Sequence, residues 1–216
     1  MKLVLILLGL ISVSCSQTGS YNYKNNLENI ANGRHRSPKN IARNIYRHPI
    51  ETLHFFEVEP NMKVAEVSPG GGWYTEILGP YLKKEGDLYL AIFSDDSKRS
   101  YAPRLNKKIK KLISDQSLFG KISFTTMEAP DHIGPIAPEN SMDRVLTFRN
   151  LHSWMKDRKL AKALKAFYQA LKPGGLLGIV EHRAKTNRKQ DPDSKSGYVR
   201  EDYVIQLAEA LSLIHI

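Results

Sequence analysis

With 216 residues, 41% of them hydrophobic, the chain has room for one α/β domain with a sizeable core and too little for two ordinary ones. A formal net charge of +10 raises nucleic acid or an anionic membrane surface as partners. The single cysteine, Cys15, excludes both a disulfide framework and a cysteine metal site.

The first segment reads as a targeting signal. Lys2 precedes the apolar run Leu3 to Ile11, and the small residues Ser-Val-Ser-Cys15 follow. The run is too short to span a bilayer as a mature helix. A lone cysteine behind small residues resembles a bacterial lipobox, with Ser12 where leucine is usual. That resemblance implies loss of residues 1–14, a lipid anchor at Cys15 and an exported protein on the periplasmic face of a bacterial membrane. Plain secretory cleavage nearby is the alternative. Residues 15–26 are polar, without a sustained apolar period, and read as a tether. Residues 27–60 are expected to form an N-terminal helical segment. Between Glu28 and Glu51 it carries Arg34, Arg36, Lys39, Arg43 and Arg47 and no acid. Such a run reads as a solvated helix face, or as a surface for anionic headgroups beside a lipid anchor. Pro49 opens a helix over Ile50–Phe56, and Pro60-Asn61 turns the chain into a strand.

The stretch Val64-Ala-Glu-Val-Ser-Pro-Gly-Gly-Gly-Trp-Tyr-Thr-Glu-Ile-Leu78 is a buried strand, a tight turn and a helix. Glu66 ends the strand, where its carboxylate can accept hydrogen bonds from a ligand's amine or hydroxyls. The helix N-terminal amides face whatever sits above the turn. The spacing Glu-x-Ser-x-Gly-x-Gly resembles motif I of the class I S-adenosylmethionine-dependent methyltransferases, an acid followed by three alternate glycines, with Ser68 at the first glycine. The flanking Arg47-His-Pro-Ile-Glu-Thr-Leu-His-Phe-Phe56 and Pro69 to Leu82 are similar to a group of exported bacterial predicted methyltransferases. The resemblance implies an α/β, Rossmann-like class I methyltransferase fold: a mostly parallel sheet with helices on both faces. It implies S-adenosylmethionine as cofactor, held by Glu66, Ser68, Gly70 and Gly72. Trp73 reads as packing of the helix onto the sheet.

Gly86 to Asp96 is a second strand ending in acids. In the family an acid here holds both ribose hydroxyls, which points to Asp95 or Asp96, with Ser94 at the family's own position and Asp95 displaced from it by one. The bland alternative is an N-cap at Asp96 or Ser97. Lys98 to Ser114 is an amphipathic helix with its lysines outward; no aromatic follows Tyr101, so no nucleic-acid partner is expected. A third strand, Lys121–Thr126, leads to Glu128, which the resemblance places near the adenine amino group and which reads equally as a surface acid. Residues 129–140 read as a loop carrying Asp131 and His132.

Val145, Leu146 and Phe148 form a strand that delivers Arg149, Asn150, His152 and Trp154 to its carboxyl end, where open parallel sheets bind ligands. This block too is similar to the exported group. Asn150 is suited to a methionine-like moiety or the acceptor, and His152 to removing a proton, unless it caps the next helix or packs beneath Trp154. Lys159 to Leu171 is an amphipathic helix, and Lys172-Pro-Gly-Gly175 turns into the strand Leu176–Val180, as across class I methyltransferases. Glu181, His182 and Arg183 follow at the strand end, to bind an acceptor or to pair with one another. Ala184–Gly197 reads as a loop and Tyr198–Leu211 as a helix.

The family's sheet continues with a two-stranded hairpin that this sequence does not supply, so residues 61–210 read as an incomplete methyltransferase-like domain. Leu-Ser-Leu-Ile-His-Ile216 resembles the translation of a sequencing-library adapter, and 211–216 read as an artefactual tail. The expected reaction is in-line methyl transfer to a small-molecule acceptor, with His152 as base and Glu181 or His182 behind it, and no metal. An exported small-ligand-binding module without catalysis is the alternative. A nicotinamide-dependent oxidoreductase is a weaker third.

Overall fold

The computed structural model describes residues 2–3, 26–128 and 132–215. Cys15, the expected leader from residue 4 onward, nearly all of the expected tether and Asp131 lie outside the described residues. A short pair, β1 (Lys2–Leu3) and β8 (Ile214–His215), runs parallel and separate from the main sheet. That main sheet comprises β2 (Lys63–Val67), β3 (Asp87–Ile92), β4 (Ile122–Glu128), β5 (His132–Ile133), β6 (Met142–Phe148) and β7 (Leu171–Val180). Its order is β5-β4-β3-β2-β6-β7, parallel except for β5. The order reverses beside β2, so β2 and its neighbours leave a crevice at their carboxyl ends.

Alternation along β2 divides the core. Val64 faces a cluster built with Leu27 and Ala31 of α1 (26–31), Leu53 of α4 (Pro49–Phe55), Ile77 and Leu78 of α5 (Thr75–Leu82) and Ile109 of α6 (Ala102–Leu112). Ala65 and Val67 face the opposite cluster, with α8 (Leu151–Lys156), α9 (Leu160–Ala170) and α10 (Glu201–Glu209). Beyond the exposed Lys63 both faces of β2 are therefore dry, which is why Val64–Val67 is apolar apart from Glu66.

The predicted elements are present, with an unpredicted short helix α7 (Gln116–Phe119) before β4 and three further differences. The expected loop 129–140 contains β5, which pairs antiparallel with the end of β4. β7 begins at Leu171 rather than Leu176: Leu171 pairs with Met142 and Leu176 with Arg144, so Lys172–Gly175 are extruded as an irregularity, with Gly174 at a φ of +81°. The helix expected to end at Leu171 stops at Ala170 because Leu171 already has extended dihedrals.

The basic N-terminal segment is a solvated face only in part: Arg34, Lys39 and Arg43 are exposed, Arg47 is half-buried and Arg36 is buried. Short helices α2 (Pro38–Ile41) and α3 (Asn44–Arg47) lie across the start of α5. Arg36 is buried there, its Nε 3.1 Å from Glu76 Oε2, with the two side chains 0% and 8% exposed. Arg36 also donates to the Ala31 carbonyl and to Asn44 Oδ1 (2.9 Å), and Asn40 Nδ2 donates to both Glu76 oxygens at 2.8 and 2.9 Å. Trp73 Nε1 donates to the Asn40 carbonyl (3.1 Å), and the Tyr74 hydroxyl to that of Arg47 (3.2 Å). Removing one member strands a buried charge, so Arg36→Ala is expected to cost about 3–5 kcal/mol in urea denaturation. The double variant Arg36→Met/Glu76→Met should recover most of that loss; a cost below about 1 kcal/mol for the single variant would refute the role.

Candidate functional site

The turn after β2 is held in a specific shape. Ser68 adopts a left-handed φ of +53°, a conformation that costs a non-glycine residue roughly 1–2 kcal/mol and explains why a glycine is usual there. Its amide donates to the Ala91 carbonyl (2.9 Å). Asn150 spans the ends of β2 and β6, its Nδ2 donating to the carbonyls of Val67 (3.2 Å) and Ser68 (3.3 Å) and to Thr147 Oγ1 (3.0 Å). Asn150 thus fixes the strand ends with the amide group that a ligand would otherwise receive.

Above this turn lies a cleft of about 350 Å³ at the carboxyl ends of β2 and β6. Its walls bring together Glu66, Ser68, Gly70, Asn150 and His152 from the sequence-predicted set. Gly70 has a φ of +58°, and a Cβ built on it would have nothing within 4 Å, so the cleft floor is open for close approach. Gly72 has a different task. A Cβ there would lie 2.5 Å from Leu112 and 2.7 Å from Ile109, so this glycine admits α6 against the turn and does not face the cleft.

Among the described residues, Glu66 is the one acid lining the cleft. It is buried, with Oε2 accepting from the Thr75 hydroxyl at 2.6 Å. Burial pushes its carboxyl from an ordinary 4.5 up to about 7, against the opposing effect of the Thr75 bond. His152 lies inside α8 rather than at its cap. Its Nδ1 is 2.9 Å from Glu181 Oε2, and its backbone amide donates to the same oxygen (3.3 Å). With Nδ1–H donating to that carboxylate, Nε2 is left as the acceptor nitrogen. Glu181 reaches it from a second, mostly apolar cleft of about 270 Å³ between β7 and α10. Its other oxygen accepts from the His182 amide (2.8 Å), while the His182 ring sits 5.5 Å from Tyr198, away from the first cleft.

Asp95 and Glu128 do not line this cleft. Asp95 is exposed and pairs with Lys110 Nζ at 3.2 Å. Glu128 is buried and accepts from the Ser94 amide (3.1 Å) and from the Ser97 hydroxyl, which organises the loop after β3. The N-cap reading of Asp96 or Ser97 does not hold either, because α6 begins at Ala102 with Tyr101 in the cap position.

Sequence reasoning missed the cations. Arg43 and Arg47 line the cleft from the N-terminal segment, Arg149 from the end of β6 and Lys108 from α6. The Arg47 guanidinium lies 4.7 Å from the Trp73 ring centroid, as does that of Arg36. Lys108 Nζ would be 2.9 Å from a Cβ on Gly71 and so stands over the turn. Tyr74 stacks on Phe148 at 3.6 Å and closes the wall between them. The available signal was the absence of acids from Asn29 to Ile50; what hid it is that a basic run on short helices usually faces water.

No protein-family model matches the sequence, and no curated protein does. Solved structures are similar. A SAM-dependent methyltransferase from Aquifex aeolicus is 18% identical, covering 87% of this chain and 87% of its own, with a TM-score of 0.59. A SAM-dependent methyltransferase from Methanosarcina mazei is 17% identical over 74% of this chain and 82% of its own, at a TM-score of 0.50. The (4+2)-cyclase SpnF is 13% identical over 89% of this chain and 69% of its own, at 0.58. The fold is therefore the Rossmann-like class I methyltransferase fold, and the cyclase illustrates that this fold does not fix one reaction.

The buried carboxyl sets a pH test. Because the folded state favours protonated Glu66, its stabilising effect is full below about pH 4.5 and is lost as pH rises through about 7. Glu66→Gln should remove that slope, so urea midpoints of variant and wild type should diverge, in the variant's favour, between pH 5 and 8. Parallel curves would show that Glu66 titrates normally.

Proposed function

We propose that the chain transfers a methyl group from S-adenosylmethionine to a small-molecule acceptor, with His152 as general base. The observation carrying this reading is the convergence, in one cleft at the switch point of a class I methyltransferase fold, of the open Gly70 turn, the buried Glu66 carboxyl and a His152 held by Glu181. The residues fit the methionine end of the cofactor. Glu66 would receive its ammonium, since one carboxyl oxygen is satisfied by Thr75 while the residue still borders the cleft. When bound, S-adenosylmethionine supplies an electrophilic methyl group that needs no metal.

Glu181 orients the imidazole and stabilises the cation formed when His152 takes a proton from the acceptor. Tyr74, Phe148 and Trp73 exclude water from one wall. Export and a lipid anchor at Cys15 belong to the same proposal and rest on the order charge, apolar run, small residues and cysteine at the start of the chain.

One observation favours the alternative of a binding module without catalysis: Asp95 and Glu128, the acids expected at the nucleoside end, are engaged by Lys110, Ser94 and Ser97. Calorimetry separates the two readings. Both S-adenosylmethionine and S-adenosylhomocysteine should bind, and near pH 6.5 the heat should depend on the buffer's ionisation enthalpy, because an ammonium beside Glu66 displaces its proton. No heat from either compound would end the enzyme reading. In an assay of S-adenosylhomocysteine release with small-molecule nucleophiles, His152→Ala should lower kcat by roughly 10²–10⁴-fold. Glu181→Gln should lower kcat more than it changes KM, because the imidazole loses the carboxylate that orients it. An unchanged kcat would reduce Glu181 to a structural role.

A further inference from the structure

The cations of the cleft lack a counter-charge. Arg43 and Arg149 are exposed, Arg47 is half-buried, and all three belong to the cleft wall. Among the described residues no ion pair or side-chain hydrogen bond engages their guanidinium groups, whereas Arg36, Arg99 and Arg144 each pair with an acid. The guanidinium groups also repel one another: burial, then Arg43 and Arg149, draw the Arg47 pKa down. Arg149 holds its place at a left-handed φ of +65°, beside Phe148 at the end of β6. With Lys108 over the turn and Glu66 drawn toward its neutral form, the cleft carries a strong excess of positive charge.

That excess conflicts with the cofactor alone. S-adenosylmethionine has two cationic centres and one carboxylate, so it enters with a net positive charge. Its single carboxylate can engage one guanidinium fork well, and the remaining arginines would still repel the sulfonium. A second anion resolves the conflict. We propose that Arg43, Arg47 and Arg149 form an oxyanion subsite for the methyl acceptor, which is therefore a small molecule bearing a carboxylate or phosphate. This rests on the methyl-transfer reading and adds the acceptor's class. It also requires the two ligands to bind cooperatively: the acceptor's oxyanion neutralises the arginines, and the cofactor's affinity rises by the factor by which it raises the acceptor's.

The test is calorimetry of the whole chain with inorganic phosphate and with succinate, at fixed ionic strength in sodium chloride, alone and together with S-adenosylmethionine. Either anion at millimolar concentration should bind by itself and tighten S-adenosylmethionine by roughly fivefold or more, with a smaller effect on the net-neutral S-adenosylhomocysteine. Arg43→Gln/Arg149→Gln should abolish the anion's heat; circular dichroism checks its fold. Arg158→Gln, which alters an arginine paired with Asp193 outside the cleft, should bind anions as the wild type does. Anions that weaken S-adenosylmethionine binding would overturn the proposal, because the arginines would then serve the cofactor's own carboxylate. Absence of anion binding, or binding indifferent to Arg43 and Arg149, would overturn it as well. Binding of S-adenosylmethionine that is indifferent to the anion would overturn the proposal too, whereas arginine-dependent anion binding with no heat from S-adenosylmethionine itself would refute methyl transfer while leaving the oxyanion site in place.

Discussion

The buried contact between Arg36 and Glu76 decides where residues 26–47 lie. Two charges removed from water are tolerable only with further hydrogen bonds around them, and Ala31, Asn40 and Asn44 supply those bonds. Each of these partners comes from a different turn of the segment before α4. Satisfying one ion pair therefore fixes α1, α2 and α3 together against α5, and with them the wall that Arg43 and Arg47 contribute to the cleft. Tyr74 and Trp73 reinforce the contact by donating to main-chain carbonyls of the same segment.

The opposite wall depends on a strand-end device. Parallel strands end with carbonyls that have no partner in the ladder, and at β2 two of these are taken by the Asn150 amide. This brings the first residues of α8 beside the glycine turn, so that His152 and Gly70 border one space although they are far apart in the chain. Glu181, at the end of the next strand, then sets the imidazole. The cleft is thus assembled from the ends of three adjacent strands and one polar cover, with the large apolar clusters only carrying them.

The periodicities that define the sheet were legible in the sequence because both faces of β2 and β6 are buried, leaving apolar runs that have few other uses. Glu66 and Gly70 were legible for a local reason: their positions follow from the strand-turn-helix geometry within a few residues. Gly72 was not, because its neighbours are Leu112 and Ile109 of a helix much later in the chain. Asp95 and Glu128 sit where strand ends predict acids, yet the sequence carries no sign that Lys110 and the Ser94–Ser97 loop would engage them. The basic run misled for the same reason. Arg36, Arg43 and Arg47 look alike in composition, and only the long-range partner Glu76 separates a buried structural cation from two that face the cleft.

The two tryptophans of the chain fall on opposite sides of the sheet. Trp154 is buried against Phe167, 5.4 Å between centroids, in the core that α9 covers. The guanidinium groups of Arg36 and Arg47 each approach the Trp73 ring to 4.7 Å, and its indole N–H is fixed to the Asn40 carbonyl. One indole is thus packed in hydrocarbon alone, and the other has two guanidinium groups beside it at the wall of the cleft. The protein carries an internal optical pair, in which emission from one ring follows the integrity of the fold while the other senses what enters beneath the arginines.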